Sequence, residues 1–160
     1  MSEPANGENG RENRNSQRLD TGPLYESPFT VKGRVRSFRH AAMGIWFVLR
    51  SQHNAWLHAV ATVLAFILAA VLHVSVRPFT SGQWCALLIA ISQVWVAETF
   101  NTGLEVLAAA ITSDRHPIVK IAKDVAAAAV LMSALAAAIV GAILFVPPLA
   151  EMIMRLIPVR

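Results

Sequence analysis

Two carboxylic acids, an amide and a hydroxyl interrupt one of the long apolar stretches of this 160-residue chain. Glu98, Asn101, Thr102 and Glu105 all lie within residues 84–110. An ionisable side chain at membrane depth costs about 3 kcal/mol on insertion scales, so such residues usually serve a function. A helix turns about 100° per residue, so this spacing puts all four side chains on one face. The resulting polar stripe can accept a proton or hold a hard cation.

The elements around this stripe are apolar enough to form a membrane protein. Hydrophobic residues make up 55% of the chain, charged residues 15%, and the mean hydropathy is +0.49. Spans are expected at about residues 55–74, 84–110 and 118–146, each reaching the roughly 20 residues that cross a bilayer as a helix. A soluble bundle is disfavoured because no sizeable polar helical faces exist to cover these runs. The sequence therefore predicts an all-α integral membrane protein with three transmembrane helices.

Two different segments precede the first span. Residues 1–28 are polar and have no apolar run, so burial cannot offset their ordering entropy, and we predict a disordered tail without a cleaved signal peptide. Residues 34–50 instead place apolar side chains at alternating spacings of three and four, with basic residues crowded at the N-terminal end. This pattern predicts an amphipathic helix that lies in an anionic headgroup layer, packs on a neighbour's spans, or does both.

The distribution of lysine and arginine predicts the orientation of the spans. Basic residues are concentrated before the first span and in the second connection, whereas the first connection contains only Arg77. The N-terminus and the second connection are therefore expected in the cytoplasm, and residues 147–160 are expected as a C-terminal tail on the far side, where Arg155 and Arg160 are a weak exception. In this orientation Glu105 lies nearer the cytoplasm than Glu98.

The remaining composition restricts the assembly and the kind of metal site. The third span is rich in alanine and contains Gly141, and small side chains let membrane helices approach closely. Because three helices enclose little volume, we expect the chain to form oligomers.

The lone Cys85 permits no intramolecular disulfide, and the five histidines lack a zinc-like spacing. Any bound metal is therefore expected to be held by oxygen.

Three sequence segments carry a resemblance to a known family. AETFNTGLEVL (residues 97–107), followed by HPIVKIAKDVAAAAVL (116–131), resembles the signature of the prokaryotic diacylglycerol kinase family, which includes undecaprenol kinases. RSFRHAAMGIWFVLRSQHNAWLH (36–58) is similar to the family's surface helix and the entry into its first span. The resemblance covers about residues 36–146 and excludes both tails.

This resemblance implies a membrane kinase domain over residues 29–146, assembled as a domain-swapped homotrimer in the bacterial inner membrane. It further implies transfer of the γ-phosphoryl group of MgATP to the hydroxyl of a membrane lipid alcohol, undecaprenol or diacylglycerol, at the cytoplasmic interface. No phosphate-binding loop or protein-kinase motif competes with this interpretation. Nucleic acid is not an expected partner, because the basic residues flank membrane spans.

The resemblance and the local chemistry together suggest a role for each polar residue of the stripe and for the next span. Glu98, the deeper carboxylate, is placed to accept the proton of the lipid hydroxyl. Glu105 is placed to hold Mg²⁺ beside ATP, and Asn101 can orient either group by hydrogen bonding. Lys123 is a candidate phosphate ligand next to Asp124, near a helix N-terminus that favours anions.

Further nucleotide contacts are implied by position in the family pattern. In similar kinases the connection before this lysine contacts ATP, which makes Asp114, Arg115 and His116 candidate ATP neighbours. Arg39, in the predicted surface helix, is another candidate ATP contact.

Two departures from the family pattern both remove negative charge. Gln52 stands where relatives commonly have a glutamate that holds metal, and Ala109 stands where many have an aspartate. An amide oxygen can still ligate Mg²⁺, so Gln52 remains a candidate metal ligand, though a weaker one. Asn54 and His58 follow it on the same face and receive no assigned role.

Two other classes of function stay open at this point. A proton-coupled transporter would also use an intramembrane glutamate, but it predicts no use for Lys123 and Asp124. A catalytically degenerate membrane scaffold is suggested only by Gln52 and Ala109.

Overall fold

The computed structural model describes residues 31–111 and 116–157, apart from the side chain of Lys32. These residues form four helices and no strand: α1 (Val31–Ser51), α2 (His53–Ser75), α3 (Ser81–Ile111) and α4 (Pro117–Leu156). The all-helical prediction is confirmed for this part of the chain. By length and composition, α2, α3 and α4 are each long and apolar enough to cross a membrane. The predicted N-terminal tail lies outside the described residues.

Helix α1 includes residues 34–50, the segment predicted to form an amphipathic helix. Contacts divide the chain into two compact units after Arg39, so the described part of the first unit, residues 31–39, is the N-terminal part of α1. Its apolar side chain Phe38 is exposed, as are Ile45 and Trp46 in the part of α1 that belongs to the second unit. The Arg50 guanidinium lies over the Trp46 ring, 5.4 Å from its centroid.

A single extended residue, Gln52, separates α1 from α2. Its backbone has φ −110° and ψ 121°, and its N–H donates to the carbonyl of Val48 at 3.1 Å, which closes the last turn of α1. Its side chain makes no capping bond to α2. The helix break therefore leaves the amide of Gln52 available for contacts elsewhere in the protein.

Side chains also define the start of α3. The Thr80 N–H donates to Oε1 of Gln83 at 2.8 Å, and the Gln83 N–H donates back to Oγ1 of Thr80 at 3.3 Å. This reciprocal pair is a capping box, which satisfies helix N–H groups that have no intrahelical partner. In the same connection the Phe79 N–H donates to Nδ1 of His73 at 2.8 Å.

The buried apolar cluster lies at the α2–α3 connection and against α4. Leu72, Leu87 and Leu144 meet there, one from each span, together with Phe79 and Ala69. α3 packs chiefly on α4. Because lipid is as apolar as these side chains, close van der Waals packing rather than removal from water stabilises this cluster, which holds one end of the three spans together.

The C-terminal segment differs from the prediction, which ended the third span at residue 146 and began a tail at 147. α4 instead continues through Pro147 and Pro148 to Leu156. A proline lacks the N–H for an intrahelical bond, which is why the pair suggested a helix end. Here Pro148 is fully buried, Leu149 and Met152 pack against the buried cluster, and this packing outweighs the lost backbone bonds.

Candidate functional site

The polar stripe of α3 lies on the buried side of the helix. Glu98 is 0% exposed, Thr102 2% and Asn101 6%, while Glu105 is half-buried. Most large apolar side chains of α3, such as Phe100, are exposed instead. A helix that buries its carboxylates and exposes its apolar residues is inverted relative to a soluble protein, as a membrane-embedded site requires.

Glu98 is a buried carboxyl group without a hydrogen bond among the described residues. Neither of its side-chain oxygens has a hydrogen-bond partner among the described residues. The hydroxyl of Thr102 donates to the backbone carbonyl of Glu98 at 2.9 Å, so it does not serve the carboxyl group. Buried polar atoms are normally hydrogen-bonded, and an exception calls for a ligand or a catalytic role. Glu98 therefore has lone pairs available for a proton or a ligand.

Glu105 is contacted by two amides. Nε2 of Gln52 donates to Oε2 of Glu105 at 2.7 Å, and Nδ2 of Asn101 reaches Oε1 at 3.5 Å. Gln52 and Glu105 are separated by 53 residues, so the α1–α2 break and the second-last turn of α3 meet at this point. The side-chain oxygen of Asn101 is buried and has no partner among the described residues.

These oxygen atoms fit a hard divalent cation. Glu105 supplies a carboxylate, and the amide groups of Gln52 and Asn101 supply neutral oxygens when they are rotated about their last bond. Within residues 31–111 and 116–157, no group of three or more His, Cys, Asp or Glu side chains forms a metal cluster. Amide oxygens, water and the oxygens of a bound ligand would have to complete the coordination of a cation here.

The candidate nucleotide residues of α4 lie at its exposed N-terminal end. His116 is the N-cap residue, makes no side-chain capping bond, and precedes a proline in the first helical turn. Nζ of Lys120 lies 2.6 Å from Oδ2 of Asp124, and both side chains are exposed. Lys123 is exposed and makes no hydrogen bond or ion pair with any described residue. The structure does not bring these residues into contact with Glu98 or Glu105.

Three further residues are predicted ATP contacts. Asp114 and Arg115 lie outside the described residues. Arg39 has an exposed side chain on α1 and belongs to the first compact unit.

His58, to which the sequence assigned no role, lies next to Glu98. It is half-buried on α2, and its Nε2 lies 3.9 Å from Oε2 of Glu98. Its ring meets Trp95 edge-on, with centroids 6.5 Å apart and planes at 68°. The signal in the sequence was a polar ring inside an apolar span, the same anomaly that identified Glu98.

An apolar cavity of about 600 Å³ opens beside the stripe, between the C-terminal half of α1, α2 and α3. Two of its few polar groups are engaged: Nε1 of Trp95 donates to Oγ1 of Thr62 at 3.1 Å, and the Thr99 hydroxyl donates to the Trp95 carbonyl at 2.8 Å. Leu49 and Phe100 contribute to its apolar walls. A cavity of this size and polarity suits a hydrocarbon chain.

Comparisons with known proteins agree with the resemblance seen in the sequence. The family model of the prokaryotic diacylglycerol kinases matches residues 39–145. An undecaprenol kinase of Bacillus subtilis is 33% identical over 114 residues, which cover 71% of this chain and 89% of the relative. A diacylglycerol kinase of Synechocystis is 34% identical over 129 residues, which cover 79% of this chain and 71% of the relative.

Proposed function

This chain belongs to the prokaryotic diacylglycerol kinase family, and we propose that it is a lipid kinase of the bacterial inner membrane. It transfers the γ-phosphoryl group of MgATP to the hydroxyl of a membrane lipid alcohol, undecaprenol or diacylglycerol. The reaction takes place at the cytoplasmic interface, with the N-terminus and the α3–α4 connection in the cytoplasm, as the distribution of basic residues indicates.

The observation that carries the proposal is the state of Glu98. Its carboxyl group is fully buried on a helix apolar enough to cross a membrane, and neither oxygen has a hydrogen-bond partner among the described residues. Packing alone gives no reason to bury such a group, because a buried carboxylate without hydrogen bonds destabilises the fold. A general base that waits for a substrate hydroxyl accounts for it.

The proposed step uses Glu98 as that base. The lipid hydroxyl oxygen attacks the γ-phosphorus, its proton passes to a carboxylate oxygen of Glu98, and the bond from the γ-phosphorus to the bridging oxygen of ADP breaks. ADP leaves with the electron pair of that bond. Phosphoryl transfer asks a protein mainly for positioning and charge neutralisation, so a single base within the polar stripe is sufficient.

Magnesium is the cofactor we propose for the other end of the stripe. Glu105, Gln52 and Asn101 would hold it together with the nucleotide, and the ion would neutralise charge on the phosphate oxygens. Lys123, Asp124 and His116 would contact ATP from the N-terminal end of α4, together with Asp114, Arg115 and Arg39.

The lipid reaches the site from the bilayer side. The apolar cavity near Trp95 and Thr99 accommodates part of its hydrocarbon chain, and these two residues flank the Glu98 turn of α3 in sequence.

We further propose that the active form is a domain-swapped homotrimer. Small residues of α4, such as Ala134 and Gly141, line a second cavity of about 250 Å³ and permit close approach of another helix.

Two alternatives from other classes make different predictions. A proton-coupled transporter would also use Glu98, but membership of a kinase family disfavours it. A degenerate scaffold is disfavoured because Glu98, Asn101, Glu105 and Lys123 are all present.

The direct test is transfer of radiolabelled phosphate from ATP to undecaprenol, diacylglycerol and ceramide, measured side by side with purified protein in mixed micelles. The expected result is a labelled lipid phosphate from one of the first two alcohols, lost in Glu98→Gln. No labelled product from any alcohol, with the protein folded and magnesium present, would refute the lipid kinase assignment.

A further inference from the structure

We propose that His58 is a positioning residue that holds the carboxyl group of Glu98 toward the substrate hydroxyl through its Nε2 atom. The inference rests on the proposed function and deepens it, because it adds a residue of α2 to a site otherwise built on α3. Nε2 of His58 lies 3.9 Å from Oε2 of Glu98, just beyond the range of a hydrogen bond. Catalytic hydrogen bonds are often long without substrate and shorten when it binds.

The surroundings of Glu98 favour His58 for this task. Both carboxyl oxygens lack a hydrogen-bond partner among the described residues, and the only ion-pair distance from Glu98 to a described side chain is the one to His58. The stripe residue Thr102 has its hydroxyl engaged by the Glu98 backbone. The cavity next to His58 is lined on the α4 side by alanine, glycine, valine and phenylalanine side chains, which offer no hydrogen-bond donor.

The ring of His58 is itself supported. Trp95 meets it edge-on at 6.5 Å, and the indole N–H of Trp95 donates to Oγ1 of Thr62 at 3.1 Å. Thr62 and His58 are four residues apart on α2. The turn that carries the His58 ring therefore also binds, through Thr62, the tryptophan that packs against this ring. A ring that is held in this way can fix the orientation of the Glu98 carboxyl group. Supporting residues of this kind keep a catalytic residue in place.

A role in catalysis predicts a specific pattern among three variants. Glutamine at position 58 places its side-chain nitrogen near the position of the histidine Nε2, and asparagine places it near Nδ1. Leucine keeps the apolar bulk but has no hydrogen-bond donor. His58→Leu and His58→Asn should lower kcat by about 10- to 100-fold, with the KM for ATP changed less than about twofold, whereas His58→Gln should recover most of the rate. Packing alone would not distinguish Gln from Asn in this way.

The experiment measures initial rates of lipid phosphorylation in mixed micelles, with ATP and the preferred lipid alcohol each varied, on the full-length protein. His73→Leu is the matched control: His73 is half-buried on the same helix, but its Nδ1 accepts from the Phe79 N–H at the other end. This control is expected to reduce thermal stability and to leave kcat near that of the parent. In the Glu98→Gln background, His58→Leu should have little further effect, because residues that act as a unit are not additive.

Each outcome decides the inference. An active parent whose His58→Leu and His58→Asn variants keep a normal kcat would overturn the positioning role alone. Equal losses in the Gln and Asn variants would do the same and would indicate a packing role. If His58→Leu does not fold, the comparison of Gln with Asn still decides. No transfer by the folded parent to any lipid alcohol would overturn the proposed function and this inference together.

Discussion

Replacing Gln52 with glutamate should lower the magnesium concentration required for activity. Nε2 of Gln52 lies 2.7 Å from Oε2 of Glu105, so a glutamate at this position would bring a second carboxylate to the same place. A hard cation binds a carboxylate more strongly than an amide. We therefore expect the variant to fold and to remain active, with a tighter magnesium requirement than the parent.

The expected size follows from the geometry. Two carboxylates in contact here would have their charges about 4 Å apart, which at an effective dielectric constant near 20 corresponds to about 4 kcal/mol of repulsion. A cation that binds both groups relieves this repulsion. Because one carboxyl group can instead take up a proton, only part of the repulsion reaches the binding of metal. A decrease of about tenfold in the magnesium midpoint, equivalent to about 1.4 kcal/mol, is the expected result.

The assay is a magnesium titration of initial rate at fixed total ATP and lipid, run on Gln52→Glu beside the parent. Ser51→Glu is the matched control, because it adds the same charge one residue earlier on an exposed side chain whose hydroxyl bonds only within α1, to the carbonyl of Phe47. The control midpoint should not move. A midpoint that stays unchanged in Gln52→Glu, or that moves equally in Ser51→Glu, would refute the placement of a cation between Gln52 and Glu105.

Four further outcomes are expected. Glu98→Gln should lower kcat by roughly 10² or more while ATP binding, measured by titration calorimetry, is retained; near-normal turnover would remove the residue from the role of base. Glu105→Gln should raise the magnesium midpoint, and lowered turnover at an unchanged midpoint would give the residue a structural role. Lys123→Met should raise the KM for ATP by about tenfold, Lys123→Arg much less, and equal values for both would contradict a phosphate contact. Ala59→Phe, which narrows the apolar cavity, should raise the KM for the lipid and leave the KM for ATP unchanged, and the reverse pattern would place the lipid elsewhere.

The three spans and the polar stripe could be predicted because both depend on local rules. Apolar run length locates a span, and helical periodicity brings Glu98, Asn101 and Glu105 to one face. Those rules do not reach across helices. The contact between Gln52 and Glu105 was expected only through resemblance to a family, and the proximity of His58 to Glu98 was not expected at all.

The end of α4 shows how tertiary packing overrides a local signal. Two successive prolines usually end a helix, and the apolar run weakens at the same point. Burial of Pro148 and the bond from Nη2 of Arg155 to Oε1 of Glu151, at 2.6 Å, accompany ten further residues of helix, from 147 to 156. No sequence pattern within residues 147–156 indicates that other parts of the protein bury Pro148. The continuation of α4 could therefore not be predicted from the sequence.

The charge distribution of the site gives a physical reason for the two departures from the family pattern. The stripe carries two carboxylates, Glu98 and Glu105, and at the N-terminal end of α4 the positive charge of Lys120 is offset by Asp124, 2.6 Å away. The proposed substrate ATP would bring more negative charge to this region, so each additional carboxylate would oppose its binding. Gln52 and Ala109 replace two acidic residues expected from the resemblance and thereby reduce that repulsion. The same substitutions remove metal ligands, which makes binding of the nucleotide depend more on the magnesium that arrives with it. One added carboxylate at position 52 should therefore tighten the magnesium requirement.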